Sequence, residues 1–217
     1  MKKIILHLCA DTGSDTKPYQ DSDEYEVILV GSDIGVENYT PPPNVHGVFA
    51  NPVCTEFSTA KGFDKTGDLD KGMDMVNHCL RIINECKPVF WVVENPAKGR
   101  LKEFLGKPKF VYQPWQYGSP WTKQTALWGN FKIPLPLYIK WEQVPKNENL
   151  YIRPNRKKPS LAFMHAKAHM KFIKEFEPFM ESILKLPARI KGGGGGDMAF
   201  RSLCSQGFAK EFFKANQ

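Results

Sequence analysis

The sequence lacks the features that mark several classes of protein. No apolar run approaches the roughly 20 residues that cross a bilayer, and the Lys2-Lys3 start is not followed by a signal-peptide cleavage pattern. The five cysteines are odd in number and form no CxxC pair, so neither a disulfide framework nor a zinc ribbon is predicted. A GxGxxG motif and internal repeats are also missing. We therefore expect a cytoplasmic protein with no membrane association and no bound metal.

Composition is ordinary for a globular chain, with an excess of positive charge. The 217 residues suffice for one domain with its own core, and hydrophobic and charged residues make up 41% and 24%. The net charge of +7 and a pI near 9.1 favour a polyanionic partner such as nucleic acid.

Short apolar runs alternate with helical patterns along the first part of the chain. An α/β fold with a doubly wound, mostly parallel sheet is predicted from this alternation. Strands are predicted at residues 3–9, 26–30, 45–49, 89–93, 110–112 and 125–128, helices at 69–86 and 98–105, and a polar, glycine-bearing loop at 62–70. Cys79 and Cys86 fall on the apolar face of the first helix and are expected to be packing residues.

Two loops with reactive side chains follow two of these strands. Asn51-Pro52-Val53-Cys54 comes after residues 45–49, and Glu94-Asn95-Pro96 comes after residues 89–93. Open α/β sheets bind ligands at the carboxyl ends of their strands, so Cys54 and Glu94 are expected in one crevice. A thiol beside a carboxyl group is a catalytic pairing. For either residue alone, a packing cysteine or a surface glutamate is about as good an interpretation; the two loops together favour catalysis.

A cofactor site is predicted beside them. The first strand runs into the small, polar turn 10–16, which allows a ligand to approach the backbone closely, although the turn is a weak motif. Asp33 follows the second strand, where an acid commonly binds the two hydroxyls of a ribose. The alternative for Asp33 is a turn residue.

The composition changes after residue 131. Prolines and the basic cluster Arg153-Pro154-Asn155-Arg156-Lys157-Lys158 fill residues 132–160. A helix is predicted at 164–186 on the basis of one apolar stripe, formed by Phe172, Ile173, Phe176, Phe179, Met180 and Ile183. His165 and His169 have the spacing of metal ligands, but without a third ligand a solvated helix face is favoured. The glycines at 192–196 are expected to form a flexible linker before a terminal helix.

Three loops, taken in order, resemble those of a known family. Pro52-Val53-Cys54, Glu94-Asn95-Pro96 and Tyr117-Gly118-Ser119-Pro120 are similar to the Pro-Cys, Glu-Asn-Val and Tyr-Gly-x-Pro loops of the S-adenosylmethionine-dependent carbon-5 cytosine DNA methyltransferases, in particular the short phage and prophage forms. The resemblance covers most of residues 4–131 and returns at residues 201–216, where Arg201-Ser202-Leu203 is similar to the family's Arg-x-Leu segment.

This resemblance implies a fold, a cofactor and a set of site residues. It implies a Rossmann-like catalytic domain at 1–131, a reduced target-recognition region with a glycine linker at 132–200, and a return to the catalytic domain at 201–217. The implied catalytic residues are Cys54, Glu94, Asn95 and Lys123. S-adenosylmethionine is expected at Leu8, Cys9, Ala10, Asp11, Thr12, Gly13, Asp33, Ile34, Asn51 and Pro52. DNA, with its cytosine flipped out or single-stranded, is expected at Ser58, Thr125, Arg153, Arg156, Lys157 and Lys158.

Several positions depart from the family pattern, and they leave alternatives open. The family has Pro, Gln, Arg and Arg at the positions of Val53, Trp121, Lys123 and Thr125. It favours an acid at the position of His7 and glycine at those of Asp11 and Ser14. It has Thr-Pro in place of Cys204-Ser205. A catalytically impaired nucleic-acid-binding relative, a methylase of free cytosine nucleotides and an RNA methylase are the alternatives. Glu94-Asn95 argues against the RNA class that uses a second cysteine. We expect a monomer with short or relaxed sequence preference, with a partner as a second possible source of specificity.

Overall fold

The computed structural model describes residues 1–58 and 67–217, which pack as two compact units. Unit 1 comprises residues 1–112, 124–133 and 216, and unit 2 comprises residues 113–123, 134–215 and 217. By packing, residues 113–123 and 201–215 therefore belong with unit 2, whereas the functional division at residues 131 and 200 stays a prediction. Residues 62–66 of the predicted 62–70 loop lie outside the described part of the chain.

The described part of unit 1 is built on a six-stranded mixed sheet. Its strands are β1 (Lys3–Leu8), β2 (Tyr25–Val30), β3 (Val45–Ala50), β4 (Phe90–Pro96), β5 (Phe110–Tyr112) and β6 (Thr125–Asn130). Their order is β2-β1-β3-β4-β6-β5; the pairs among β1 to β4 are parallel, and β6 is antiparallel to both of its neighbours. The α/β fold predicted from the alternating pattern is confirmed.

The helices of the described residues are mostly short. They are α1 (Lys17–Gln20), α2 (Leu69–Cys86), α3 (Lys102–Leu105), α4 (Ala166–His169), α5 (Met180–Lys185), α6 (Ala188–Lys191), α7 (Gly193–Ser202) and α8 (Gln206–Ala215). Short 3-10 helices lie at Ser14–Thr16, Pro114–Tyr117, Trp141–Gln143, Leu161–Phe163, Met170–Phe172 and Lys174–Phe179. Among the described residues, no helix is both long enough and apolar enough to cross a membrane.

Helix α2 has the bounds that its periodicity predicts. Asp68 caps its first turn by accepting a hydrogen bond from Lys71 N at 3.0 Å, and Lys87 ends it in the left-handed conformation with φ of 46°. Its buried face, which includes Val76, Cys79 and Ile83, packs in one core with the β1, β3 and β4 side chains. Cys79 is therefore a packing residue, as predicted.

The other core of the sheet is aromatic. The Tyr19 ring on α1 lies 5.7 Å from Phe49 and 6.0 Å from Phe90, and its hydroxyl donates a hydrogen bond to Asn216 O at 2.8 Å. Both faces of the sheet are thus covered by side chains of other elements, which is why the strands have near-continuous apolar sequences.

Two predicted bounds near β4 are wrong. Glu94-Asn95-Pro96 was expected in a loop but forms the end of β4, because the three residues pair with Leu127, Ala126 and Thr125 of antiparallel β6. The helix predicted at 98–105 forms only at Lys102–Leu105. Residues before it form a turn instead, in which Gly99 N donates to Pro96 O at 2.9 Å.

The single helix predicted at 164–186 is also wrong. The segment instead forms α4, two 3-10 segments and α5, with Ile173 outside helical geometry at φ −114° and ψ 80°. Pro178 lies inside the second 3-10 segment and supplies no N–H for a continuous α-helix. Four residues of the predicted stripe are buried all the same, whereas Phe172 and Met180 are each 36% exposed.

The glycine linker predicted at 192–196 is wrong, because α7 begins at Gly193. Ala199, Phe200 and Leu203 of this region are buried in the core of unit 2, so tertiary packing stabilises a helix that the intrinsic preference of glycine disfavours. Gly196 has φ of +114°, a value open mainly to glycine, and a Cβ there would lie 2.9 Å from Ile183 Cγ2.

Candidate active site

The candidate site of unit 1 lies where the strand order reverses, the place where open α/β sheets bind ligands. β1 is flanked by β2 on one side and β3 on the other, so the chain leaves the carboxyl ends of β1 and β3 in opposite directions. Asn51 N donates to Leu8 O at 3.1 Å, and Ala10 N donates to Val30 O at 3.2 Å. The predicted cofactor loop and the Cys54 loop therefore begin side by side.

The Cys54 loop is held on both sides of the cysteine. Before it, Asn95 Nδ2 donates to Pro52 O at 3.1 Å in a buried hydrogen bond. After it, Arg100 N donates to Phe57 O at 2.9 Å, and the Phe57 side chain is fully buried. Val53 keeps a backbone N–H, which lies 3.5 Å from Met75 Sδ, where the proline of the family pattern would have none. The loop is thus anchored while Cys54 itself is exposed.

The register of β3 and β4 brings the two predicted loops together. Ala50 pairs with Val93, so Asn51 and Glu94 follow at the same edge of the sheet. Asn95 is 1% exposed, and its side chain reaches the Cys54 loop through Pro52 O. The structure therefore gives Asn95 the position of a residue that orients the cysteine loop, beside the half-buried Glu94.

The five thiols differ in their environments. The Cys9 Sγ lies 3.7 Å from Cys79 Sγ, and this contact together with burial raises the pKa of Cys9. Burial and the neighbouring Glu85 raise the pKa of Cys86 to about 11. Both thiols are protonated at neutral pH, and Cys79 and Cys204 are buried, so Cys54 is the accessible candidate nucleophile.

Three of the predicted cofactor residues, Ala10, Asp11 and Asp33, lie close to Gly31, which follows β2. A Cβ on Gly31 would lie 2.9 Å from Ala10 O, 3.0 Å from Asp11 Oδ1 and 3.1 Å from Asp33 Oδ1. Asp11 Oδ1 also accepts a hydrogen bond from Ser32 N at 3.0 Å, which holds this unusual side chain against the 31–33 turn. Oxygen acceptors thus converge on a point that only glycine leaves open.

A buried polar network lies behind the first loop. His7 is 1% exposed, and its Nδ1 lies 3.0 Å from Thr16 Oγ1. His7 Nε2 lies 4.0 Å from Asp15 Oδ2, the same oxygen that accepts a hydrogen bond from Asn51 Nδ2 at 3.2 Å. Burial lowers the pKa of His7, and the opposing effects of Asp15 and Asn51 are smaller. The Asp15–Asn51 hydrogen bond links the first loop to the Cys54 loop, and the neutral imidazole of His7 lies beside it.

The burial of His7 predicts that the protein becomes less stable to unfolding in acid. The pKa of His7 is near 6.5 in the unfolded chain and lower in the folded protein, so below about pH 6.5 only the unfolded state gains the proton. The free energy of unfolding should therefore decrease as the pH falls, with a slope of up to about 1.4 kcal/mol per pH unit from this group. Urea titrations of the wild type and His7→Gln between pH 7.5 and 5.5 measure it. His78→Gln, on α2 beside Asp74, is the control histidine; equal slopes for the wild type and His7→Gln would contradict the prediction.

Sequence reasoning missed Asp15 and Thr16 as parts of this network. An acid and a hydroxyl in the turn after the first strand were visible in the sequence, but no pattern indicated that they would contact Asn51 and His7. The parallel pairing of β1 with β3 brings Asn51 to Asp15, whereas His7 and Thr16 meet across the turn that follows β1.

Several other predicted site residues have contacts of their own. Lys123 Nζ donates to Ser202 O at 2.8 Å and to Leu203 O at 3.2 Å, which are the end carbonyls of α7 in unit 2. This gives Lys123 a structural role, and its catalytic role stays a prediction. Thr125 is 1% exposed within β6, so it does not present its side chain to nucleic acid in this structure. Ser58 lies half-buried at the end of the Cys54 loop.

The departure at Trp121 has a structural reason. Trp121 is 2% exposed in the core of unit 2, and its ring lies 5.4 Å from that of Phe176. A glutamine at this position would leave its amide in an apolar core. The position is therefore used for packing.

The basic cluster lies on the surface of unit 2. Arg153, Arg156 and Lys157 are exposed, whereas Lys158 is half-buried with its Nζ 4.9 Å above the ring of Trp115.

The two histidines with metal-ligand spacing contact other groups. His165 Nδ1 lies 2.6 Å from Asp197 Oδ2, and His169 Nδ1 accepts a hydrogen bond from His165 N. Among the described residues, no group of three or more His, Cys, Asp or Glu side chains is arranged to hold a metal.

A comparison with known proteins identifies a viral relative of the chain. The chain matches no protein-family model. It resembles the S. pombe Dnmt2 methyltransferase with 9% identity and a TM-score of 0.46, over 99% of this chain and 98% of that one. A likeness at that level supports no conclusion. The chain is 30% identical over 151 residues to a Frog virus 3 (isolate Goorha) protein named "Probable DNA (cytosine-5)-methyltransferase", covering 57% of this chain and 69% of the viral protein. With this relative and the loops of the crevice together, the chain belongs to the cytosine-5 methyltransferase family.

Proposed function

We propose that this enzyme transfers a methyl group from S-adenosylmethionine to carbon 5 of cytosine in DNA through a covalent adduct with Cys54. The observation that carries the proposal is the hydrogen bond from buried Asn95 to Pro52 O. It joins the end of β4, which bears Glu94, to the loop that bears an exposed Cys54.

The residues of the crevice fit the proposed cofactor. The acceptors Asp11 and Asp33 converge on Gly31, and they match the hydroxyl and ammonium donors of S-adenosylmethionine as well as its positive charge. Further predicted contacts come from the first loop (Leu8, Cys9, Ala10, Thr12, Gly13), from the start of the Cys54 loop (Asn51, Pro52) and from Ile34. Ile34 is 55% exposed beside Asp33 and offers an apolar surface to the adenine ring of the cofactor. When bound, the cofactor supplies an electrophilic methyl group.

Cys54 is proposed to make cytosine reactive. Its thiolate forms a bond to carbon 6, and the electron pair of the 5,6 double bond moves to carbon 5, which becomes nucleophilic enough to take the methyl group. Methyl transfer releases S-adenosylhomocysteine. Solvent then takes the carbon-5 proton, and the electron pair of that carbon–hydrogen bond re-forms the 5,6 double bond. The bond from Cys54 to carbon 6 breaks, and the thiolate leaves with its electrons.

Glu94 and Asn95 are proposed to support this step in different ways. The Glu94 carboxyl, as an acid, donates a proton at the N3 edge while negative charge develops there. Asn95 is a positioning residue, because its side chain donates a hydrogen bond to Pro52 O in the cysteine loop. Lys123 remains a candidate for stabilising the adduct.

DNA is proposed as the substrate, with its target base outside the duplex stack, because carbons 5 and 6 are not reachable within it. Arg153, Arg156, Lys157 and Lys158 are proposed phosphate contacts, which position a strand without reading its sequence. Ser58 is a further candidate contact beside Cys54. We therefore expect short or relaxed sequence preference.

Incubation with methyl-labelled S-adenosylmethionine and a panel of substrates tests the function. We expect label in cytosine-containing DNA and none in the same DNA with every cytosine replaced by thymine. Label in RNA or in dCTP instead would correct the substrate, and label in none of them would contradict the proposal.

Asp33→Ala is expected to weaken cofactor binding. Loss of a charge-assisted hydrogen bond to a ribose hydroxyl should cost roughly 1–3 kcal/mol. Calorimetry with S-adenosylhomocysteine, the demethylated product, measures this without turnover. Asp23→Ala, an exposed acid before the opposite end of β2, is the matched control. Equal affinities for the two variants would remove Asp33 from the site.

A further inference from the structure

The positive charge of the chain is concentrated in one segment of unit 2. Residues 149–174, named here the basic segment, contain seven of the 30 Lys and Arg residues and none of the 23 Asp and Glu residues. The rest of the chain therefore has 23 residues of each sign and no net charge, so the excess of +7 belongs to this segment.

These cations are available for a partner. Six of the seven are exposed, and Lys158 is half-buried. Among the described residues of unit 2, the cations in ion pairs are His165, Lys185, Arg201 and Lys214. None of the seven is thus neutralised by a described carboxylate, and the exposed cations of the segment attract anions.

Exposed aromatic rings lie among these charges. Tyr151 is 46% exposed and Phe163 is 45% exposed. The Arg153 guanidinium lies 4.1 Å from the centre of the Phe163 ring, and the Tyr151 ring lies 6.3 Å from that of His169. Rings of this size are not left in water without cost, and a cation stacked on one side still leaves area for a second planar group.

We propose that the basic segment binds a single-stranded nucleic acid, with bases stacked on Tyr151 and Phe163 and phosphates held by the surrounding Arg and Lys residues. A duplex keeps its base faces inside the stack and would use only the charges. A single strand offers bases and phosphates together, which is the combination of groups that this surface matches. An acidic protein would likewise leave the rings without a specific partner. The inference names the strand state of the proposed substrate and in that respect rests on the proposed function.

Binding of a fluorescent 20-mer of thymidylate, measured by anisotropy, tests the proposal. This strand contains no cytosine, so its binding does not depend on the proposed chemistry at Cys54, and the two proposals can fail separately. We expect the wild type to bind it more tightly than a duplex of mixed A·T sequence of the same length. A 20-mer of uridylate in a parallel titration distinguishes DNA from RNA as the source of the strand.

Variants separate stacking from charge. Tyr151→Ala combined with Phe163→Ala should lower the affinity for the single strand about 30-fold or more, because each of the two stacked bases contributes roughly 1–3 kcal/mol, and should change duplex binding less than twofold. Phe163→Trp should retain binding, whereas Phe163→Leu should weaken it. Arg156→Gln with Lys157→Gln should weaken both single-strand and duplex binding and reduce the salt dependence. Leu184→Ala, 64% exposed and outside the segment, is the control.

Photocrosslinking of the wild type to the thymidylate strand gives a second measurement that needs no variant. Crosslinks at Tyr151 or Phe163 are expected. The proposal is overturned if the wild type does not prefer the single strand, if the aromatic variants fold and bind like the wild type, or if crosslinks fall only outside residues 149–174.

Discussion

Cys54→Ser is expected to abolish methyl transfer, with a loss of at least about 10³-fold in rate, because a serine hydroxyl is not a sufficient nucleophile near neutral pH. The same change should abolish covalent capture of the substrate. Fluorine in place of the carbon-5 hydrogen prevents the final elimination, so wild-type enzyme, cofactor and 5-fluorocytosine DNA should form a complex that survives denaturation. Gel electrophoresis in denaturant and single-turnover transfer of labelled methyl measure the two effects.

Cys86→Ser is the matched control for this experiment. Cys86 is half-buried on α2, and its pKa of about 11 leaves the thiol protonated at neutral pH, so this variant should trap the fluorinated DNA like the wild type. Trapping that persists in Cys54→Ser, or that is absent from an active wild type, would make Cys54 a residue of the loop structure and the covalent mechanism wrong.

Glu94→Gln is expected to slow methyl transfer by about 100-fold or more, because an amide cannot supply the carboxyl proton to the developing charge at N3. Glu94 lies at the end of β4, where its neighbours Val93 and Asn95 are buried, so the isosteric change should leave the fold intact. The rate of a single turnover at saturating cofactor measures the chemical step. Calorimetry with S-adenosylhomocysteine checks that cofactor binding is unchanged.

Glu85→Gln, which removes the partner of Arg81 on α2, is the control carboxylate. A surface ion pair of this kind contributes little, and its loss should not alter the rate. If Glu94→Gln and Glu85→Gln turn over alike, Glu94 has no part in proton transfer. If Glu94→Gln loses cofactor affinity instead of rate, its role is binding and the proposed step is wrong.

The elements that local sequence predicts are those that local interactions determine. Helix α2 begins and ends where its apolar periodicity, the acid at Asp68 and the left-handed Lys87 require. The strands beneath the crevice are short apolar runs buried in the sheet, and their alternation with helices suffices for the α/β fold. The closeness of the Cys54 loop and Glu94 follows from the same runs, because parallel strands bring their carboxyl ends to one edge, although Glu94 lies within β4 and not in a loop.

Other predictions failed where long-range packing outweighs local preference. The intrinsic propensity of the glycines at 193–195 favours a linker. The segment nevertheless forms α7, because a helix buries Phe200 and the adjoining Leu203 in the core of unit 2. Pro178 breaks the helix that the apolar stripe suggests, while the stripe still supplies core residues. Lys123 binds the carbonyl ends of α7 through a contact between residues about 80 positions apart, which the sequence did not indicate; its catalytic role stays a prediction.

The sequence by itself determined the identity and order of the reactive loops, the α/β class and the excess of positive charge, since these depend on residue types and short-range patterns. Only the tertiary structure decided which residues contact one another. It brings Asn95 to the Cys54 loop and Asp11 and Asp33 close to Gly31, and it buries the neutral His7 behind the first loop. The physical reason is that strand order and register set these contacts. Pairing between β1 and β3, and between β4 and β6, is stabilised by hydrogen bonds and burial across distant parts of the chain, which no local pattern specifies.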